Sequence, residues 1–282
     1  GYSLAGSDLV VWDMTNPADV KYVQTSYSAG KYSFVADASA LREYVAVKPS
    51  AYFPAPTFVE EVANQNLHAI KNVDFVVIAP DEYLAYANRL ADLHSQYDGV
   101  STLVVTPQQI YNEFSSGTPD ATAYRWLMKS IYDRAADGHK PQNLLLFGDA
   151  TYDHRGYQKV NVPYNKVLTY ESVNSLHTIT GSYATDDYFG MLSDKTGANL
   201  VSDTMSIGVG RLPVSSAEQA SAMVAKVQTY LKDSLKGDWK NRFVYIADDD
   251  NDANLCYTWQ SDTLAKRIEK SHKEFQVTRL FT

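Results

Sequence analysis

Val73-Asp-Phe-Val-Val-Ile-Ala79, closed by Pro80, is the stretch on which the reading of the whole chain turns. A short apolar run rich in β-branched side chains and ended by proline reads as a strand buried on both faces; a half-exposed strand would alternate apolar with polar residues. Strands of the same kind are predicted at Ser101–Thr106, Asn143–Phe147, Ile207–Gly210, Phe243–Ala247 and Gln276–Phe281. Helical patterns lie between them. Pro119–Ala136 puts Tyr124, Leu127, Met128, Ile131, Tyr132 and Ala135 at helical spacing on one face. Ser215–Lys232 carries an apolar stripe of Ala220, Met223, Val224, Val227 and Leu231, and Ser215 with Glu218 has the spacing of a capping box. Buried strands joined by helices predict an α/β fold, a mainly parallel sheet flanked by helices on both faces.

The N-terminal part reads differently. Leu9–Trp12, Tyr22–Gln24, Tyr32–Val35 and Tyr44–Val47 are short strand patterns separated by turn residues at Asn16-Pro17 and Ala29-Gly30. Lys48–Pro56 then brings Pro49, Pro54 and Pro56 with no helical period, which marks a boundary. The expected division is a small β region over residues 1–55 followed by the α/β domain over 56–282. Within the latter, Tyr152–Met205 is long and polar, a connection expected to be functional or to contain small hairpins of its own. The final run, Gln276–Thr282, reads as a strand with no crossover after it, so the chain is expected to be truncated.

Composition removes several function classes. The formal charge of −8, from 25 basic and 33 acidic residues, offers no basic face for a phosphate backbone, so nucleic acid is not an expected partner. One cysteine rules out an internal disulfide and any multi-cysteine metal site. No apolar run approaches the ~20 residues of a membrane span, and Gly1–Trp12 lacks the basic-then-apolar pattern of an export signal.

In open α/β sheets, ligands gather at the carboxyl ends of the strands. Several such places here are acidic: Gly148-Asp149 with Asp153 and His154, then Asp186-Asp187, then Asp248-Asp-Asp-Asn-Asp252. The last run begins like an EF-hand loop but has Ala253 where glycine is needed and Trp259 where a bidentate glutamate belongs. Two readings stay open there: a looser Ca²⁺ site using Asp248, Asp250 and Asp252, or a solvated loop whose carboxylates cap the next helix. Asp186 and Asp187 are adjacent, and neighbours in an extended loop point apart; an N-cap or a hydrogen-bonded loop anchor suits them better than an acid–base pair. His154 is the histidine best placed for proton transfer, although a solvated loop histidine is the commoner reading, and Cys256, the lone thiol, is expected to be buried and structural.

Leu144-Leu-Leu-Phe-Gly148-Asp149, Ser182-Tyr-Ala-Thr-Asp186-Asp187-Tyr-Phe-Gly190 and Ile207-Gly-Val-Gly-Arg211-Leu-Pro-Val214 resemble, in order and spacing, the first half of the gingipain cysteine peptidases. The resemblance implies a caspase-like α/β fold and an activity of peptidase or transpeptidase type on a protein substrate. It implies a catalytic His in a Gly-His-Gly turn and a Cys after a later strand; neither motif occurs in this sequence. No catalytic residue is therefore assigned, and a C-terminal catalytic subdomain is expected as the partner of this one. By the same resemblance Tyr257 and Thr258 border the substrate pocket, calcium is the implied cofactor, and the location is extracellular or on the outer-membrane surface of a bacterium. The rival reading is a non-catalytic binding or assembly module, with other secretion-system proteins as partners and the Tyr-rich segment 152–205 as the docking surface.

Overall fold

The structure, a computed structural model, describes residues 8–37, 39–50, 53–157, 165–172, 183–232, 237–250 and 256–281. The chain divides into two compact units, residues 1–63 and 64–282. In the first, β1 (Val10–Asp13) lies between two antiparallel neighbours, β2 (Lys21–Val23) and β5 (Tyr44–Val47). β3 (Ser26–Ser28) and β4 (Lys31–Ser33) form a separate hairpin. Its two-residue turn puts Ala29 at φ 50° and Gly30 at φ 77°, the left-handed geometry that matches strand twist.

The second unit opens with β6 (Phe75–Ile78), α1 (Leu84–Asp98), β7 (Thr102–Val105), α2 (Pro107–Phe114), α3 (Thr122–Arg134) and β8 (Asn143–Phe147). A two-stranded antiparallel pair, β9 (Tyr170–Glu171) with β10 (Ala184–Thr185), occupies the long polar connection. Then come β11 (Gly208–Leu212) and α4 (Ala217–Leu231). Four of these strands make one parallel sheet in the order β11-β8-β6-β7. The sheet is parallel, as its apolar runs predict: α1 returns the chain from β6 to β7, α2 and α3 return it from β7 to β8, and the long polar connection carrying β9 and β10 returns it from β8 to β11.

Side chains along β6 and β8 alternate between two cores. Val76, Ile78, Leu144 and Leu146 pack under α2 and α3 with Tyr124, Leu127, Met128 and Ile131. Val77 and Phe147 pack on the other face with Ala87 and Leu90 of α1 and Ala220 and Val224 of α4. Val76, Val77 and Ile78 are each 0% exposed, and each contributes roughly 1.5–3 kcal/mol by leaving water. Two helix starts differ from the sequence reading. The cap of α4 is Ser216, whose side chain accepts from Gln219 N, while Ser215 donates to the Gln219 side chain. Thr106 ends the second predicted strand only nominally: it forms a full capping box with Gln109 that starts α2, with Pro107 in the first turn.

A separate βαβ element follows: β12 (Arg242–Ala247), α5 (Tyr257–Ser271) and β13 (Gln276–Phe281), its strands parallel and hydrogen-bonded only to each other among the described residues. Arg279 ties the sheet to α5 through a bidentate pair with Glu269 and a 2.8 Å bond to Asp262. Val244, Ile246 and Leu280 alternate with the helix-facing residues and are exposed.

Candidate functional site

Every parallel strand of the larger sheet delivers its chain to the same edge, and at the carboxyl end of β11 stands Arg211. Its Nε and Nη2 donate to the two carboxylate oxygens of Asp186 at 2.7 and 2.8 Å. Nη1 donates to the carbonyls of Gly148 and Val167, both at 2.8 Å, and Nη2 reaches Leu168 O at 3.2 Å. Thr169 Oγ1 adds a 2.9 Å bond to Asp186 Oδ1. Only 14% of the Arg211 side chain and 23% of the Asp186 side chain is exposed, so the pair works in a medium less polar than water. The planar fork of arginine is what lets one side chain hold a carboxylate and three carbonyls together.

Two glycines make the close approach possible. A Cβ on Gly148 would lie 2.9 Å from Val167 Cγ2 and 3.0 Å from Lys166 Cβ. One on Gly190 would lie 2.9 Å from Val209 Cγ2 and 3.1 Å from Ile207 O. The segment around 148 therefore packs on 166–167 and that around 190 on 205–209; Gly148 N also donates to Leu212 O, and Asp149 O accepts from the N–H groups of Lys166 and Val167. From α3, buried Arg125 donates to Met191 O at 2.8 Å and Thr196 O at 2.7 Å, and Lys129 donates to Leu192 O and Asp194, which seats the loop leading to β11.

Asp186 is thus a loop anchor. Asp187 is exposed, its N–H bonded to Thr185 Oγ1, and the two carboxylates do not face one bond. Asp149 Oδ1 accepts from Ala150 N, and Asp153 Oδ1 accepts from Tyr157 N. His154 Nε2 stands 3.6 Å from Glu171 Oε1. Neither charge nor spacing marks Arg211 as functional in the sequence; its place at a strand end, within the third motif, is the available signal.

At the carboxyl end of β12 a shallow open cleft of about 390 Å³ is lined by Ile246, Ala247, Asp248, Tyr257, Gln260 and Ser261. Tyr257, the first residue of α5, is 49% exposed there. Thr258 does not line the cleft: its hydroxyl donates to Asp248 O at 3.0 Å and its N–H to Asp250 Oδ1 at 3.1 Å. Asp250 Oδ2 also accepts from Trp259 N at 3.4 Å, so this carboxylate caps the positive end of α5. An ion at this loop would have to share Asp250 with the helix. Asp248 Oδ1 accepts from Asp249 N, and Asp252 lies outside the described residues. Among the described residues no group of three His, Cys, Asp or Glu side chains is gathered to hold a metal. Cys256 is half-buried rather than enclosed: it precedes the first turn of α5, where Gln260 Nε2 donates to its sulfur at 2.9 Å.

The chain covers 93% of its length on the crystal structure of dimeric latent PorU from Porphyromonas gingivalis, at 30% identity and a TM-score of 0.73. It also superposes on the complex of RgpB pro- and mature domains from Porphyromonas gingivalis, with a TM-score of 0.51 at 16% identity over 74% of this chain. The Arg-specific cysteine proteinase gingipain R gives the same score and identity over 76%. This chain spans 27% of the PorU chain and 42% of each gingipain chain. No curated protein sequence matches it significantly. The model of peptidase family C25 matches residues 68–282. The fold that sets Arg211 over three loop segments is the caspase-like fold of these enzymes, and the chain belongs to peptidase family C25, the gingipain family.

Proposed function

We propose that this chain forms the supporting part of a PorU-like C25 cysteine peptidase or transpeptidase, a sortase of the type IX secretion system that processes secreted proteins at the bacterial surface. Its role is to present the strand-end loops and one wall of a substrate cleft. The catalytic Cys and His come from a further subdomain of the same protein. The observation that carries this reading is the Arg211 junction, where all three segments resembling the family meet at the carboxyl edge of the sheet. Among the described residues the recorded hydrogen-bond neighbour of the Cys256 sulfur is the Gln260 amide, which supports a structural rather than nucleophilic role for this thiol. Tyr257 in the β12 cleft is the residue assigned to substrate contact, and Thr258 holds the junction behind it. The exposed apolar residues Val244, Ile246 and Leu280 suit cover by the catalytic subdomain.

Incubating the chain alone with peptide substrates and a thiol-directed covalent inhibitor tests the reading. No turnover is expected; turnover that is lost on labelling of Cys256 would overturn it. A binding or assembly module is the second reading, favoured by the exposure of Tyr152, Tyr157 and Tyr183 on the strand-end loops. It predicts that the complete protein is also without turnover.

A further inference from the structure

Behind the strand-end loops three buried polar atoms have no hydrogen-bond partner among the described residues: His154 Nε2, Asn165 Oδ1 and Glu171 Oε1. Such atoms are rare in folded proteins, because each forfeits its bonds to water without replacement. Two of them face each other, and the third belongs to a residue that bonds the His154 backbone. His154 Nε2 and Glu171 Oε1 are 3.6 Å apart, and the Asn165 amide is turned by its Nδ2, which is 3.5 Å from His154 O. That orientation leaves the Asn165 oxygen as the free end.

The separation of the His–Glu pair is informative. Where a histidine elsewhere in the chain meets a carboxylate, it closes to hydrogen-bond distance: 2.6 Å for His68 with Glu113, 2.6 Å for His94 with Asp98, and 3.1 Å for His272 with Glu274. His154 and Glu171 stay beyond that range. Two ligands of one tetrahedral ion, each about 2.1 Å from it, are about 3.4 Å from each other. The spacing is that of a coordination edge.

The surroundings are built to hold it. Glu171 lies on β9, fixed by its pairing with Ala184 of β10. Next to Asn165, Lys166 N bonds Asp149 O at 2.9 Å and Lys166 Nζ bonds Glu82 at 2.6 Å. His154 follows Asp153, which is buried and bonded to Tyr157 N. The His154–Glu171 pair itself takes no part in the Arg211 junction or the β12 cleft.

We propose that His154, Asn165 and Glu171 bind a divalent first-row transition ion of the Zn²⁺ type, with water completing the shell, and that the ion ties together the two loop segments after β8. One imidazole nitrogen with two oxygens favours a borderline ion over an all-oxygen cation. The site is separate from the acidic loop at Asp248–Asp252.

The test uses the untagged chain, freed of metal with chelator and titrated with Zn²⁺ alone and, in parallel, with Co²⁺. One equivalent should bind, raise the thermal midpoint, and give the intense visible bands of low-symmetry four- or five-coordinate Co²⁺. His154→Ala and Glu171→Gln should each weaken binding by more than about 100-fold, since even outer-shell partners of metal sites are worth about 10–100-fold. His94→Ala, at a closed His–carboxylate pair, should leave the affinity unchanged. Binding that survives His154→Ala, or that shows Ca²⁺ and Zn²⁺ equivalent, would overturn the proposal. So would no binding to the unaltered chain, which would leave ordered water as the partner of these atoms.

Discussion

Arg211 and Asp186 meet in a two-point ion pair, at 2.7 and 2.8 Å, across a gap of 25 residues in sequence. The junction also binds the carbonyls of Gly148, Val167 and Leu168, so its loss removes the common anchor of three segments. Arg211→Ala leaves Asp186 mostly buried without its charge partner and is expected to cost about 3 kcal/mol in urea unfolding. Arg211→Lys keeps the charge but cannot hold a carboxylate and carbonyls in one plane, so most of that loss should remain. Full recovery in the lysine variant would show that charge alone matters here.

Gly148→Ala and Gly190→Ala are expected to destabilise by about 1–3 kcal/mol, because each new methyl group would meet a neighbour at 2.9 Å. Gly210→Ala is the internal comparison: nothing lies within 4 Å of its Cβ position, and its thermal midpoint should stay close to the parent's. Equal effects at the three positions would refute the close-packing account of the two motif glycines.

Glu113 fixes the stretch before β6. Partial burial alone would raise its carboxyl pKa, but hydrogen bonds from Leu67 N, Gln65, and the side chain and N–H of His68 outweigh burial and bring it down to about 2. Because the folded value lies below the ordinary 4.5, the stabilisation is complete above that pH and fades as pH falls toward 2. Glu113→Ala should therefore cost about 2 kcal/mol at pH 7. The gap between variant and parent thermal midpoints should shrink through this acid window. A gap that does not change with pH would mean the carboxylate is not the active form.

Asp250→Ala removes the cap of α5 and should cost about 1 kcal/mol with chelator present. If Ca²⁺ also binds Asp248, Asp250 and Asp252, millimolar Ca²⁺ raises the thermal midpoint of the parent and not of this variant. An unchanged midpoint in the parent leaves Asp250 as a helix cap only.

The sheet was legible because burial on both faces writes itself into a strand as an unbroken apolar run, as at Phe75–Ile78 and Asn143–Phe147. The edges of elements were less so. Thr106 satisfies both a strand pattern and a capping box, and only the fold shows that its side chain serves α2. The Arg211–Asp186 pair could not be read from spacing, since the crossover that joins β8 to β11 decides which acid an arginine at the end of β11 meets. Asp186 was singled out, and the anchor reading of it holds. The three orphaned atoms near Glu171 were invisible for the same reason: a histidine, an asparagine and a glutamate scattered over a polar loop carry no pattern until the backbone gathers them.

The central claim, that this segment supports a catalytic pair supplied elsewhere in the protein, is tested most directly by mapping a covalent thiol inhibitor on the complete protein by mass spectrometry. The adduct is expected on a cysteine outside residues 1–282, with turnover unchanged in Cys256→Ser and KM raised in Tyr257→Ala. An adduct on Cys256, together with turnover abolished in Cys256→Ser, would contradict it.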